Sequence, residues 1–350
     1  MRVLIVKTSS MGDVIHTLPA LTDAGNAIPD IQFDWVVEEN FAEIPAWHPR
    51  VNKVIPIAWR RWRKQLFSTA TRQGLHEFRQ RLRAEKYDLI IDAQGLVKSA
   101  LCAVFARGVA AGLDWNCARE SLASLFYRRK LEVDFQQHAI VRMRMLFSLA
   151  LGYPLPTSVP DYGIDRQKLV AGASPATPYL VFLHGTTWAT KHWPEAYWLA
   201  LTRLAEQKGW QVKLPWGNAT EQERAQRIAA NSSNVEVLPR QDLIGMARIL
   251  AGARAVVAVD TGLGHLAAAL NVPGVSLYGP TDPKLTGALG ASQVHLTADF
   301  PCAPCFSKVC TYPGKGPPSP LKSSSPLYPA CFSGLNPELV WGSLIATLAE

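Results

Sequence analysis

Asp13 closes a short polar loop, Lys7-Thr8-Ser9-Ser10-Met11-Gly12-Asp13, directly after an apolar run from Val3 to Val6. The run reads as a buried parallel strand, and ligands of open α/β sheets sit beyond the carboxyl ends of such strands. A lone carboxylate at that place can take a proton from an incoming hydroxyl. It can equally cap the helix that the periodicity predicts after it, and the residues alone leave both roles open. Further strand ends carry loops of another kind. In His184-Gly185-Thr186-Thr187-Trp188-Ala189-Thr190-Lys191 a glycine, hydroxyls and a lysine precede a helix start, which are the parts of an anion site. Asp260-Thr261-Gly262-Leu263-Gly264-His265 opens a short helix whose first amides can cradle a diphosphate. Asp260 would be repelled by phosphate and suits neutral sugar hydroxyls, or caps the helix, and His265 can be a satisfied core residue. Glu221, after Trp216-Gly217-Asn218, can accept from ribose hydroxyls or serve as an ordinary first-turn helix acid. Tyr278-Gly279-Pro280-Thr281-Asp282-Pro283 is a turn signal at one more strand end. Together these loops point to a nucleotide-sugar site.

The elements that must position them alternate. Strands are predicted at Val3–Val6, Phe33–Val37, Lys53–Ile57, Leu89–Ile91 and weakly near Val109, with helices at Gln73–Glu85 and Gln136–Leu149. A Pro- and Gly-rich stretch, Gly152 to Pro178, breaks the pattern as a connection does. The pattern then restarts with strands at Tyr179–Leu183, Gln211–Leu214, Val235–Leu238, Ala255–Val259 and Gly274–Tyr278. The intervening helices are Pro194–Lys208, Thr220–Ala230, Asp242–Ala251 and Gly264–Leu270. Asn336-Pro337 opens a last helix with proline at its favoured first position. The expected fold class is α/β, with two Rossmann-like domains. The expected division is residues 1–155 for the first domain, 156–178 for the linker, 179–335 for the second, nucleotide-sugar domain and 336–350 for a terminal helix packing back on the first domain.

A chain of 350 residues with 48% hydrophobic content fills two cores. It has no apolar stretch long enough for a membrane span and no signal-peptide pattern at its start, so a soluble, cytoplasmic protein is expected. The net charge of +8 is uneven: residues 1–150 hold 21 Lys and Arg against 15 Asp and Glu. Much of the excess lies in Trp59-Arg60-Arg61-Trp62-Arg63-Lys64 and between Arg72 and Arg83. Such a run suits phosphate-rich partners or an anionic membrane, unless it is a solvated helix face. Cys302, Cys305, Cys310 and Cys331 have the spacing Cys-x2-Cys-x4-Cys-x20-Cys, which can close a zinc site. Pro304 inside the first pair and the surrounding Pro and Ser favour reduced thiols packed in a loop-rich tail.

Lys7 to Leu21, Asp92-Ala-Gln-Gly-Leu-Val-Lys98, Trp188-Ala-Thr-Lys191-His-Trp-Pro194, Asp260 to His265 and Tyr278 to Pro283 resemble the lipopolysaccharide heptosyltransferases of glycosyltransferase family 9. The likeness runs from residue 1 to about 300 and is greater to the enzymes that add the first heptose than to those that add the second. It implies a GT-B fold with two sheets facing across a cleft. It also implies inverting transfer of L-glycero-D-manno-heptose from ADP-heptose to the first Kdo of Kdo2-lipid A, peripherally on the cytoplasmic face of the inner membrane. Asp13 then matches the general base. Thr186, Thr187 and Lys191 match the phosphate loop, Asp260, Thr261, Gly262 and His265 the donor loop, and Glu221 the ribose contact. Arg60, Arg61, Arg63, Lys64 and Lys98 become acceptor or membrane contacts. No cofactor, no catalytic metal and no nucleic-acid partner are implied, and a monomer is expected. Alternatives are another ADP-heptose-dependent core heptosyltransferase or a sugar-nucleotide epimerase of the same fold. Residues 301–335 depart from the family pattern.

Overall fold

The computed structural model describes residues 1–65, 67–170, 177–230, 232–312 and 328–349. The chain divides into two compact units, Met1–Ile164 and Asp165–Glu350. The boundary falls inside the expected linker, whose first part therefore belongs to the N-terminal unit. Part of that linker, residues 171–176, lies outside the described residues, as does the Pro-rich run of 313–320.

The N-terminal unit is built on β1 (Arg2–Val6), β2 (Gln32–Glu38), β3 (Val51–Ile57), β4 (Leu89–Asp92), β5 (Ala110–Leu113) and β6 (Arg129–Leu131). Its sheet is parallel, in the order β3-β2-β1-β4-β5-β6. Val3, Leu4, Ile5 and Val6 are fully buried, because a central parallel strand is covered on both faces. The C-terminal unit repeats the plan with β7 (Tyr179–Leu183), β8 (Gln211–Leu214), β9 (Val235–Val237), β10 (Ala255–Val259), β11 (Gly274–Tyr278) and β12 (Gln293–Thr297). Its order is β12-β11-β10-β7-β8-β9, the same winding read from the other edge. Both are Rossmann-like sheets. The order reverses between β1 and β4 in one and between β7 and β10 in the other, and these switch points are where such sheets open a crevice for ligands.

Two edge strands, β6 and β12, were not expected from the sequence. The terminal helix, Pro337–Ala349, packs on helix Glu195–Gln207 and on β10, β11 and β12, within its own unit. Val340 and Leu344 of that helix join the C-terminal core around Trp193, Tyr197 and Trp198. Among the described residues no helix is long and apolar enough to cross a membrane.

Candidate active site

In the N-terminal unit the chemistry gathers at the β1/β4 switch point. Asp13 sits in the short helix Met11–Ile15, and its Oδ2 accepts from Ser10 N at 2.7 Å and from Ser10 Oγ at 2.9 Å. The N-cap is thus Ser10 and not Asp13, which as the third helical residue reaches back to it in a capping box that fixes where the carboxylate points. Burial pushes the Asp13 carboxyl up, but Lys7, both Ser10 hydrogen bonds and Arg119 together hold it below its ordinary value. Asp13 is thus an anion kept ionised by cations around it, Arg142 among them.

Lys7 has the largest effect of these cations on Asp13. It follows β1 directly, is buried, and donates from Nζ to Ala93 O at 2.8 Å. Burial lowers its pKa, against the pull of Asp13 and Asp92. The loop after β4 supports the loop after β1: Gln94 Oε1 accepts from Thr8 N at 3.0 Å and Ser9 N at 3.1 Å. Fully buried Asp92 in turn accepts from Gln94 N (2.8 Å), Ser99 Oγ (2.8 Å) and Tyr127 Oη (2.7 Å). Gly95 completes the turn with φ +68°, where a side chain would also press on Arg119 N. None of Lys7, Asp92 or Gln94 is identified as a site residue by sequence reasoning, although the Asp92-Ala-Gln-Gly wording stands in the sequence. Their role depends on β4 lying beside β1.

The basic segment follows β3, at the same carboxyl edge of the sheet. Arg60, Arg61, Arg63 and Lys64 are exposed, whereas Trp62 is buried in the core against Phe78. Trp62 is therefore packing, not a stacking surface for a ligand. Arg61 makes a two-pronged pair with Glu39, at 3.1 and 3.0 Å, and the Arg60 amide donates to Glu38 Oε1 at 2.9 Å. Lys98 is exposed near the start of helix Val97–Phe105.

In the C-terminal unit the β7 and β10 loops meet through an ion pair. Lys191 Nζ lies 2.7 Å from Asp260 Oδ2 and 4.4 Å from the centre of the Trp188 ring. Thr281 Oγ1 donates to the same Asp260 oxygen at 2.7 Å, and Thr186 Oγ1 to Asp260 O at 3.0 Å. The sequence reading has Lys191 as a bare phosphate cation and Asp260 as a sugar acceptor. The structure holds the two together, because two opposite charges on adjacent loops, each with little solvent, satisfy one another. His265 Nε2 is 3.9 Å from Asp260 Oδ1. Helix Gly262–Ala269 begins beside this pair, so its first-turn amides and positive dipole end face the same place. Glu221 accepts from Gly217 N at 2.8 Å and lies against Gly185, whose missing side chain leaves it room. Thr187 is exposed on the loop between.

The pattern of glycosyltransferase family 9 (heptosyltransferase) matches residues 75–315. The lipopolysaccharide heptosyltransferase 1 of Pseudomonas aeruginosa is 62% identical over 99% of this chain and 98% of its own length. The chain belongs to glycosyltransferase family 9. That of Escherichia coli K12 is 57% identical over 85% of this chain and 94% of its own. The solved structure of E. coli heptosyltransferase WaaC with ADP is similar at 55% identity with a TM-score of 0.82, covering 85% of this chain and 93% of that one. The protein is thus a heptosyltransferase of lipopolysaccharide core synthesis, of the type named 1, and its two Rossmann-like domains are those of the GT-B fold. The lipopolysaccharide heptosyltransferase 2 of E. coli is 33% identical in sequence over 32% of the chain.

Proposed function

We propose that this heptosyltransferase moves L-glycero-D-manno-heptose from ADP-heptose to the first Kdo of Kdo2-lipid A, with inversion at the anomeric carbon. The observation that carries the reading is that each unit has an equipped switch point: one holds an ionised carboxylate, Asp13, and the other a cation, Lys191, beside a helix N-terminus. The related E. coli structures contain ADP and ADP-2-deoxy-2-fluoro heptose, which supports ADP-heptose as the donor here.

In this reading Asp13 takes the proton of a Kdo hydroxyl as that oxygen bonds to the anomeric carbon. The bond from that carbon to the diphosphate breaks, and its electron pair leaves on ADP. Lys191 and the amides of Thr261 and Gly262 receive the developing charge, with Thr186 and Thr187 on the phosphates; no metal enters the transfer step. Asp260 holds Lys191 in place, beside His265, and Glu221 accepts from the ribose. A carboxylate held below its ordinary pKa is a weak base, so most of the acceleration falls to positioning and to stabilising the leaving group. Arg60, Arg61, Arg63, Lys64 and Lys98 meet the phosphates and carboxylates of the acceptor and of the inner-leaflet surface, where the protein binds peripherally from the cytoplasm.

The test is ADP release from ADP-heptose with and without Kdo2-lipid A. Release that needs both substrates supports the reading. Release without acceptor, or none with both present, overturns it.

A further inference from the structure

The four tail cysteines, unused by sugar transfer, converge on one cavity. Cys302, Cys305, Cys310 and Cys331 all line a space of about 190 Å³ in the C-terminal unit. Cys331 is buried and comes from the helical turn Ala330–Gly334, while exposed Cys302 and Cys305 and half-buried Cys310 come from the loop after β12. The four thus come from two chain segments, with a Cys-x2-Cys-x4-Cys group answered by one distant cysteine.

That division is what a closed thiolate site requires, since four sulfurs must surround an ion from opposed directions. A divalent cation binding there would release the thiol protons to solvent and offset the mutual repulsion of the four thiolates so formed. Among the described residues the side chains do not already meet in an ion-holding group. Three of the four, however, ride on residues 301–312, which form no regular secondary structure, so drawing them in displaces a loop and leaves the sheet intact.

We propose that Cys302, Cys305, Cys310 and Cys331 together bind one thiophilic divalent cation, zinc or ferrous iron, as a structural site that fastens the tail onto the donor loops. Two hydrogen bonds already join this loop to the donor loops: Thr190 Oγ1 donates to Ser307 O at 2.6 Å, and Phe306 N to Pro280 O at 2.8 Å. Lys308 Nζ stands 5.5 Å from the centre of the same Trp188 ring that Lys191 faces. With four thiolates the ion has no open position and touches no substrate.

The experiment is metal analysis of the purified full-length protein, together with thiol titration and ADP binding. One zinc or iron per chain is expected, with the element identified directly and Cys302, Cys305 and Cys310 unreactive until a chelator is added, while buried Cys102 and Cys117 stay unreactive throughout. The double variant Cys302→Ser, Cys305→Ser is expected to lose the metal and to bind ADP several-fold more weakly, whereas Cys117→Ala keeps both. Chelation of the unmodified protein gives the same ADP readout should the double variant fail to fold. No metal after incubation with zinc or ferrous iron, with Cys302, Cys305 and Cys310 reactive, overturns the site. So does equal metal in the double variant, and unchanged ADP affinity after metal loss overturns the fastening.

Discussion

Lys191 Nζ and Asp260 Oδ2, 2.7 Å apart, tie together the loops of β7 and β10, the two strands between which the C-terminal sheet reverses its order. On the proposed function, the cation offered to a diphosphate is therefore held before the donor arrives, which lowers the ordering cost of binding. Lys191→Ala removes that charge and leaves Asp260 with Thr281 and its neighbours only. Breaking such a pair costs about 3 kcal/mol or more. Donor KM is expected to rise at least ~10-fold and kcat to fall with it. In steady-state kinetics, Lys191→Ala combined with Asp260→Asn should lose less than the sum of the single losses.

Asp13→Asn keeps an acceptor for the Ser10 hydrogen bonds but removes the base. Turnover should drop about 10²- to 10⁴-fold while ADP affinity, measured by calorimetry, stays the same. Near-normal turnover would return Asp13 to helix capping alone.

The acid limb of kcat/KM follows from the same environment. Asp13 is held below its ordinary carboxylate value, so its loss of activity on protonation is confined to pH below the ~4 of a free aspartate. Lys7→Met removes the leading cation acting on Asp13. The limb must then move to higher pH, since a carboxylate without its cation protonates more readily. A limb that stays in place in the Lys7 variant would show that Asp13 is not the titrating group.

Gln94→Leu strips Thr8 N and Ser9 N of their acceptor. Orphaned buried amides cost about 1–3 kcal/mol each, to be read from denaturant unfolding. Turnover should fall further than stability alone explains, with ADP affinity intact, and Gln94→Glu should restore much of the loss because it keeps an acceptor oxygen.

His48, 2% exposed, is held neutral by burial with its pKa lowered to about 4. Its Nε2 pairs with Thr22 Oγ1 at 3.0 Å and Nδ1 accepts from Arg50 N at 3.1 Å. The unfolded imidazole titrates near ~6.5, so the unfolded chain binds the proton first and stability falls as pH drops through 6.5 toward 4. The contribution, up to ~3 kcal/mol, is complete above that window. Urea unfolding across this range should show a shallower slope in His48→Gln.

Four C-terminal strands, Tyr179–Leu183, Gln211–Leu214, Ala255–Val259 and Gly274–Tyr278, lie where the sequence reading puts them. Three of them are buried along their whole length and so read as unbroken apolar runs. Arg129–Leu131 and Gln293–Thr297 escaped because edge strands are partly exposed and carry polar residues. Asp13 and Lys191 were legible because each ends a loop after a recognisable strand. The Lys191–Asp260 pair and the Gln94 clasp were not, since both depend on which strand neighbours which, and that order is not written locally. The inward turn of Trp62 was hidden for a related reason, as a tryptophan between arginines looks alike in a core and on a surface.

The identical winding of the two sheets has a consequence for how such an enzyme can be altered. Each half carries its own pair of inner strands and closes its own loop network, with the donor-side contacts lying within residues 165–350. On the proposed function, choice of acceptor is then written in the stretches after β1 to β5 and choice of sugar nucleotide in those after β7 to β11. Re-addressing the catalyst to a different acceptor is thus an edit to one domain's rim, leaving the other domain's grip on its substrate untouched.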